Sequence, residues 1–155
     1  MATWKRICCP IDFSPTSRSA ADEAGELAWR FGGSVTLLHV LEPSPIPARD
    51  LHLPPAAERD DARAQCERTL ESWRTAIEKI ATTNVGAVLA EGDPAYEIVR
   101  FATARSCDVI VIGTRGRASD PLGSVAAHVV LSARCPVVVV PASTGRRGAA
   151  AANAI

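Results

Sequence analysis

An excess of charge of one sign is missing from this sequence. The 17 Lys and Arg residues are matched by 17 Asp and Glu, a net charge of zero at neutral pH. No overall field draws in a polynucleotide or an anionic membrane, and the basic stretches are too short to act alone. No nucleic-acid and no membrane partner is expected. Long apolar runs are missing too. No stretch reaches the ~18 residues of a membrane span, and the start MATWKRICCPID lacks the apolar core and cleavage site of a secretory signal. A soluble, cytoplasmic protein is expected. Cysteine is present at Cys8, Cys9, Cys66, Cys107 and Cys135, but without CxxC or any Cys/His zinc spacing. Reduced, buried thiols are therefore expected, not a disulfide frame or a zinc site. Cys8 and Cys9 are strand neighbours and point to opposite faces, which argues against a paired redox function. Also absent are GxGxxG after the first strand, GxxxxGK(S/T), GxSxG and HExxH, so redox and protease chemistry have no support.

What is there is a chain of 155 residues, 47% hydrophobic, long enough for one domain that buries roughly 70% of its unfolded surface. Its most informative stretch runs from Cys107 to Val140: CDVIVIG, TRGRASDPL, GSVAAHVVLSAR, CPVVVV. This predicts a strand ending in glycine, a polar turn, an amphipathic helix and a second apolar strand. Gly113, Gly116 and Gly123, with the hydroxyl of Ser124 opening the helix, leave backbone N–H groups uncovered where the helix dipole is positive. That suits an anion such as phosphate.

From the start of the chain, Trp4 to Ile11 predicts strand one, and Ser14 and Pro15 predict the cap and first residue of helix one. Ala20, Ala21, Ala24, Leu27, Ala28 and Phe31 recur at helical spacing before Gly32-Gly33 stops the helix. SVTLLHVL over 34–41 predicts strand two. Prolines at 43, 45, 47, 54 and 55 then predict a surface loop. Between about Ala57 and Thr82, the positions Ala62, Cys66, Leu70, Trp73, Ile77 and Ile80 form one core-facing stripe of the longest helix. Val85 to Ala90 predicts strand three, and Asp93-Pro94 cap a short helix with Ile98, Val99 and Ala102 inward. Residues 1–141 are expected to form the domain and 142–155 a disordered tail. Alternating strands and helices with continuously apolar VIVI and VVVV predict a doubly wound parallel α/β fold. In such sheets ligands bind beyond the carboxyl ends of the strands where the winding reverses. If strand one lies beside strand four, Asp12 and Gly113 converge there.

At these residues a resemblance emerges. The segments PIDFSPTSRSAADEAGELAWRFGGSVTLLHVLEP, EGDPAYEIVRFATARSCDVIVIGTRGR and GSVAAHVVLSARCPVVVV resemble, in order and interval, the signature segments of the universal stress protein family across residues 4 to 141. The resemblance implies an adenine nucleotide alpha hydrolase-like sheet of order 3-2-1-4-5, with ATP or AMP, and Mg²⁺ as a candidate companion, at the switch point. Pro10, Ile11 and Asp12 match positions near adenine and ribose, and Val40 the residue whose backbone meets the base. Ile112, Gly113 and Gly116, with Arg117 beside them, match the first half of a phosphate loop. Gly123, Ser124, Val125 and Ala126 match the second half, Ala126 standing where some members carry a polar residue. The nucleotide-binding branch is similar to G-x2-G-x9-G-(S/T), whereas only six residues separate Gly116 from Gly123 here. Three missing residues span up to about 10 Å, comparable to a triphosphate. Asp120 adds a negative charge near the expected anion.

The plainer readings stand beside these. Asp12 also suits a hydrogen-bonded turn, Gly113 and Gly116 suit turns that need positive φ, Ser124 suits a helix cap, and Arg115 and Arg117 suit a solvated surface. His39 is expected to pack at the core or rim, His128 at a helix edge, and His52 in the proline-rich loop. Pro136 to Val140 would form an apolar sheet edge, which a two-fold homodimer would cover. Two function classes stay open. One is a nucleotide-binding stress-response regulator with an unidentified protein partner. The other is a nucleotide-independent adaptor or chaperone-like dimer. Enzymatic activity is expected to amount to slow ATP hydrolysis at most.

Overall fold

Five strands pair in one all-parallel sheet of order β3-β2-β1-β4-β5 in a computed structural model that describes residues 3–43, 56–114 and 122–142. The elements follow one another as β1 (Arg6–Pro10), α1 (Pro15–Phe31), β2 (Ser34–Leu41), α2 (Ala56–Ala81), β3 (Val85–Glu91), α3 (Pro94–Ala104), β4 (Val109–Gly113), α4 (Ser124–Ser132) and β5 (Val137–Val140). The expected order and parallel pairing are what the chain adopts. Strand one is shorter than its β-favouring run, beginning at Arg6 instead of Trp4. Ile11 lies past the strand's end and still donates its N–H to Leu38 O at 2.8 Å.

Side-chain alternation along the strands divides the core into two layers. Ile7 and Cys9 of β1, Val35 and Leu37 of β2, and Val109 and Val111 of β4 face α1 and α2. There they meet Ala20, Ala21, Ala24, Ala28, Leu70, Ile77 and Ala81. Cys8, Leu38, Ile110 and Ile112 face the other way, against Ala95, Ile98 and Ala102 of α3 and Ala126 and Val129 of α4. Each fully buried Leu, Ile or Val contributes about 1.5–3 kcal/mol, and Ile7, Leu37, Leu38, Ile77 and Ile110 are all in that class. Two expectations are corrected in these layers. Ala62 of the long helix is exposed, so the core-facing stripe begins further along α2 and is anchored by Leu70, Ile77 and Ala81. Of the five thiols only Cys8 and Cys9 are buried; Cys66, Cys107 and Cys135 are half-buried.

The helix ends follow their local chemistry. Ser14 caps α1 by accepting from Ser17 N–H, Pro15 follows at the first turn, and Gly32 closes the helix in the left-handed region at φ 61°. Asp93 caps α3 by accepting from Tyr96 N–H, with Pro94 next. The start of β4 is tied to β1 by Asp108, whose Oδ2 accepts Lys5 N–H at 3.0 Å and Arg6 N–H at 2.8 Å. The expectations for the proline-rich loop at 44–55, including His52, and for the tail over 143–155 lie outside the described residues.

Candidate functional site

Because β1 is flanked by β2 on one side and β4 on the other, the chain changes winding direction at the β1–β4 boundary. The carboxyl ends of those two strands open a crevice there. Asp12 stands on one wall. Its position is set by a turn: Asp12 N–H donates to Ser17 Oγ at 2.9 Å, and Ser17 O–H donates back to Asp12 Oδ1 at 2.6 Å. Ser14 N–H donates to the same Oδ1 at 3.0 Å. Partial burial pushes the Asp12 carboxyl upward, but the bonds from Ser14 and Ser17 and the nearby backbone N–H groups outweigh it and hold the pKa below the ordinary value. The turn-forming role is thus observed, and Asp12 lines the crevice as well.

The next residue, Phe13, sits at φ 63°, a left-handed conformation uncommon for a bulky residue. Its ring is held from both sides, 4.4 Å from the His39 ring and 5.5 Å edge-on to Trp73, over which the Arg18 guanidinium lies at 5.4 Å. His39 Nδ1 is 2.7 Å from Ile11 O. His39 is therefore a packed rim residue that fixes the chain just before Asp12, while His128 is exposed on α4. Both fit the expectation.

The opposite wall comes from β4 and α4. Gly113 is a glycine for steric reasons and not for positive φ: a Cβ there would lie 2.6 Å from Thr16 O, so the carboxyl end of β4 touches the first turn of α1. Gly123, at φ 79°, is the residue that caps α4. Ser124 is accordingly the first helical residue and not the cap, and the capping residue, being glycine, brings no side-chain bond to the first turn of α4. Among the described residues Pro10, Ile11, Asp12, Val40, Ile112, Gly113, Gly123, Ser124 and Val125 surround one cleft of about 160 Å³, with Ala126 at its back. Gly116 and Arg117, with Arg115 and Asp120, lie outside the described residues.

The cleft also has walls that sequence reasoning passed over: Ser17, His39, Glu42, Pro94, Thr114 and Leu122. The signals were faint. Ser17 lies five positions past Asp12 and returns only because the turn doubles back. Glu42 and Pro94 immediately follow the ends of β2 and the β3–α3 turn, where a doubly wound sheet gathers ligand-facing residues. Chemically, the cleft offers two carboxylates at one side, able to accept hydrogen bonds from hydroxyls. It offers apolar surface from Ile11, Val40, Ile98 and Leu122, and a helix N-terminus at the other side. No group of three or more His, Cys, Asp or Glu among the described residues is placed to hold a metal ion. No helix among them is long and apolar enough to cross a membrane.

The family model described as the universal stress protein family matches residues 3–141. A universal stress protein of Methanocaldococcus jannaschii is 35% identical over 147 residues, covering 88% of this chain and 82% of that protein. In structure, the universal stress protein UspA from Lactobacillus plantarum superposes with a TM-score of 0.79 at 27% identity, over 90% of this chain and 99% of that one. A universal stress protein family protein from Arabidopsis thaliana, described with AMP bound, superposes with a TM-score of 0.67 at 22% identity, over 90% and 93%. The adenine nucleotide alpha hydrolase-like fold expected from the resemblance is the fold of this chain. With its ordered signature segments, its strand order and the family match over nearly all the described residues, the chain belongs to the universal stress protein family.

Proposed function

We propose that this protein is a cytoplasmic stress-response regulator that binds an adenine nucleotide, ATP or AMP, in the β1–β4 cleft and acts as a homodimer toward a protein partner. One observation carries the nucleotide reading: the Asp12 turn and the start of α4, opened by Gly123, face each other across a single open cleft. The ribose hydroxyls go to the carboxylate side at Asp12 and Glu42, where acceptors are needed. The base lies against Val40 and Ile11. The phosphates go to Gly113, Gly123 and the amides of Ser124 and Val125, with Arg117 as a further contact. Mg²⁺, if it accompanies ATP, rides on the phosphates, since the described residues supply no ligand cluster of their own. The Arabidopsis relative described with AMP bound has the same fold and is compatible with this placement. The working unit is residues 1–141, with 142–155 dispensable for binding.

Calorimetric titration with ATP, ADP and AMP, with and without Mg²⁺, tests the reading. The informative variant is Ser124→Pro. Proline is accepted at the first position of a helix and removes one amide donor, so α4 forms while the phosphate loses a charge-assisted hydrogen bond. Such a bond is worth about 1.5–3 kcal/mol, so affinity for ATP should drop roughly 10- to 100-fold while thermal stability holds. Absence of heat with all three nucleotides would refute nucleotide binding. It would leave the second reading, a nucleotide-independent dimeric adaptor. A specific feature favours that alternative: the Gly116-to-Gly123 stretch is three residues shorter than the nucleotide-binding pattern.

A further inference from the structure

Within the cleft, the hydroxyl of Ser17 does more than shape a turn. Ser17 lies in the first turn of α1 and is only 5% exposed. Its Oγ accepts Asp12 N–H at 2.9 Å and donates its one proton to Asp12 Oδ1 at 2.6 Å, closing a ring between the backbone and the side chain of the same aspartate. Ser17 N–H donates to Ser14 Oγ at 3.2 Å, and Ser14 N–H donates to Asp12 Oδ1 at 3.0 Å. Helix α1 has its cap in the Ser14 side chain, so the Ser17 hydroxyl is not needed to start the helix.

The bonds fall unequally on the carboxylate. Oδ1 takes both donors from the turn, whereas Oδ2 takes none among the described residues. Asp12 is exposed and lines the cleft, so Oδ2 is the acceptor left for a ligand. The bonds from Ser14 and Ser17 also hold the Asp12 carboxyl below its ordinary value against its burial, which keeps it an acceptor at neutral pH. The same serine meets the opposite wall. A Cβ at Gly113 would lie 3.1 Å from Ser17 N and 2.6 Å from Thr16 O, so the carboxyl end of β4 rests on the backbone of this turn. Ser17 therefore ties the carboxylate side of the cleft to its glycine side and fixes the span between them. A carboxylate on an unbraced turn loses rotamer freedom when a ligand binds, whereas one already held offers its second oxygen without that loss.

We propose that Ser17 is a positioning residue for the ligand: it engages Oδ1 of Asp12 inside the turn and thereby presents Oδ2 to a sugar hydroxyl, so that the cleft selects nucleotides with free ribose hydroxyls. This rests on the nucleotide reading above. A ribose hydroxyl donates to Oδ2, while a hydrogen in its place leaves a carboxylate oxygen desolvated and unpartnered.

The test titrates the full-length protein with AMP and with 2′,3′-dideoxyadenosine 5′-monophosphate, which keeps the base and the phosphate and lacks both hydroxyls. The wild type should bind AMP roughly 10- to 100-fold more tightly than the dideoxy nucleotide. Ser17→Ala should weaken AMP about tenfold and leave the dideoxy nucleotide within about twofold, so that the preference shrinks. In the ligand-free protein, an NMR titration of the Asp12 carboxyl should move upward toward the ordinary value of 3.8 in Ser17→Ala. A merely structural role would weaken both nucleotides alike, and that result would overturn the proposal. So would an Asp12 titration that the variant leaves in place. Equal affinity of the wild type for the two nucleotides would overturn it too, and that measurement needs no variant to fold. A wild type that binds neither nucleotide refutes the nucleotide reading and this proposal with it, whereas any of the other contrary results, with AMP bound, refutes this proposal alone.

Discussion

Gly113 and Gly123 stand on the same wall of the cleft and are glycines for unlike reasons. Gly113 lets β4 touch the backbone of α1, whereas Gly123 supplies a positive φ ahead of α4. Gly113→Ala therefore forces backbone apart, since its Cβ would lie 2.6 Å from Thr16 O. It should destabilise the protein by about 1–3 kcal/mol in urea unfolding, and a loss within error would refute the close approach. Acid stability provides a second residue-scale prediction. Asp12 and Asp108 both titrate below their ordinary value of 3.8 in the folded chain. Asp12 does so because bonds from Ser14 and Ser17 outweigh its burial, and Asp108 because of the Arg6 and Lys5 amides. A carboxyl depressed by folding adds stability that is fully present above its unfolded pKa and fades as pH falls through the folded one. Asp108→Asn should thus narrow the difference in urea midpoint between pH 7 and about pH 3. An unchanged difference would remove Asp108 from the acid response. The role of Gly113 was not readable beforehand. Glycine in a turn reads as a demand for positive φ, and only folding brings Thr16 against residue 113.

Elements were more legible than residues, because hydrophobic spacing and end signals are local. Ser14-Pro15 and Asp93-Pro94 start α1 and α3 as their chemistry dictates, and Gly32 ends α1 in the left-handed region. The long helix shows where periodicity runs out. Ala62 keeps the spacing of the core-facing stripe, yet every side chain from Glu58 to Arg63 is exposed, because packing begins only further along. Spacing reports which face a residue occupies and says nothing of whether another element covers it. Ile77→Ala, in the covered part, should cost about 2–5 kcal/mol, whereas Ala62→Ser should stay within about 0.5 kcal/mol of the parent. Equal losses at the two sites would contradict the observed packing of α2.

At the scale of the whole molecule, β5 has a strand partner on one side only among the described residues. Val137 to Val139 are half-buried, and Leu131 is 86% exposed on α4, which packs against β5. Apolar surface beside an open edge is the kind that a second copy covers. Light scattering at micromolar concentration should return a dimer, and a monomer throughout a dilution series would rule out pairing through Pro136 to Val140. The two halves of the candidate site were legible separately, as an acidic turn after β1 and a glycine turn after β4. The middle ground of Ser17, His39 and Glu42 was not, because it depends on how the β1–α1 turn doubles back and where β2 ends.

The β1–β4 junction carries a consequence for how the protein is made. The bond from Lys5 N–H to Asp108 links positions 103 apart, and the β1 floor of the cleft leaves the ribosome well before its far wall from β4 and α4. A nascent chain can therefore assemble β1, β2 and the helix between them, yet it has no site to fill until α4 emerges. Whatever ligand the cleft takes thus meets both walls of its site only after α4 has emerged, so it cannot serve as a template for the folding of β1, α1 and β2.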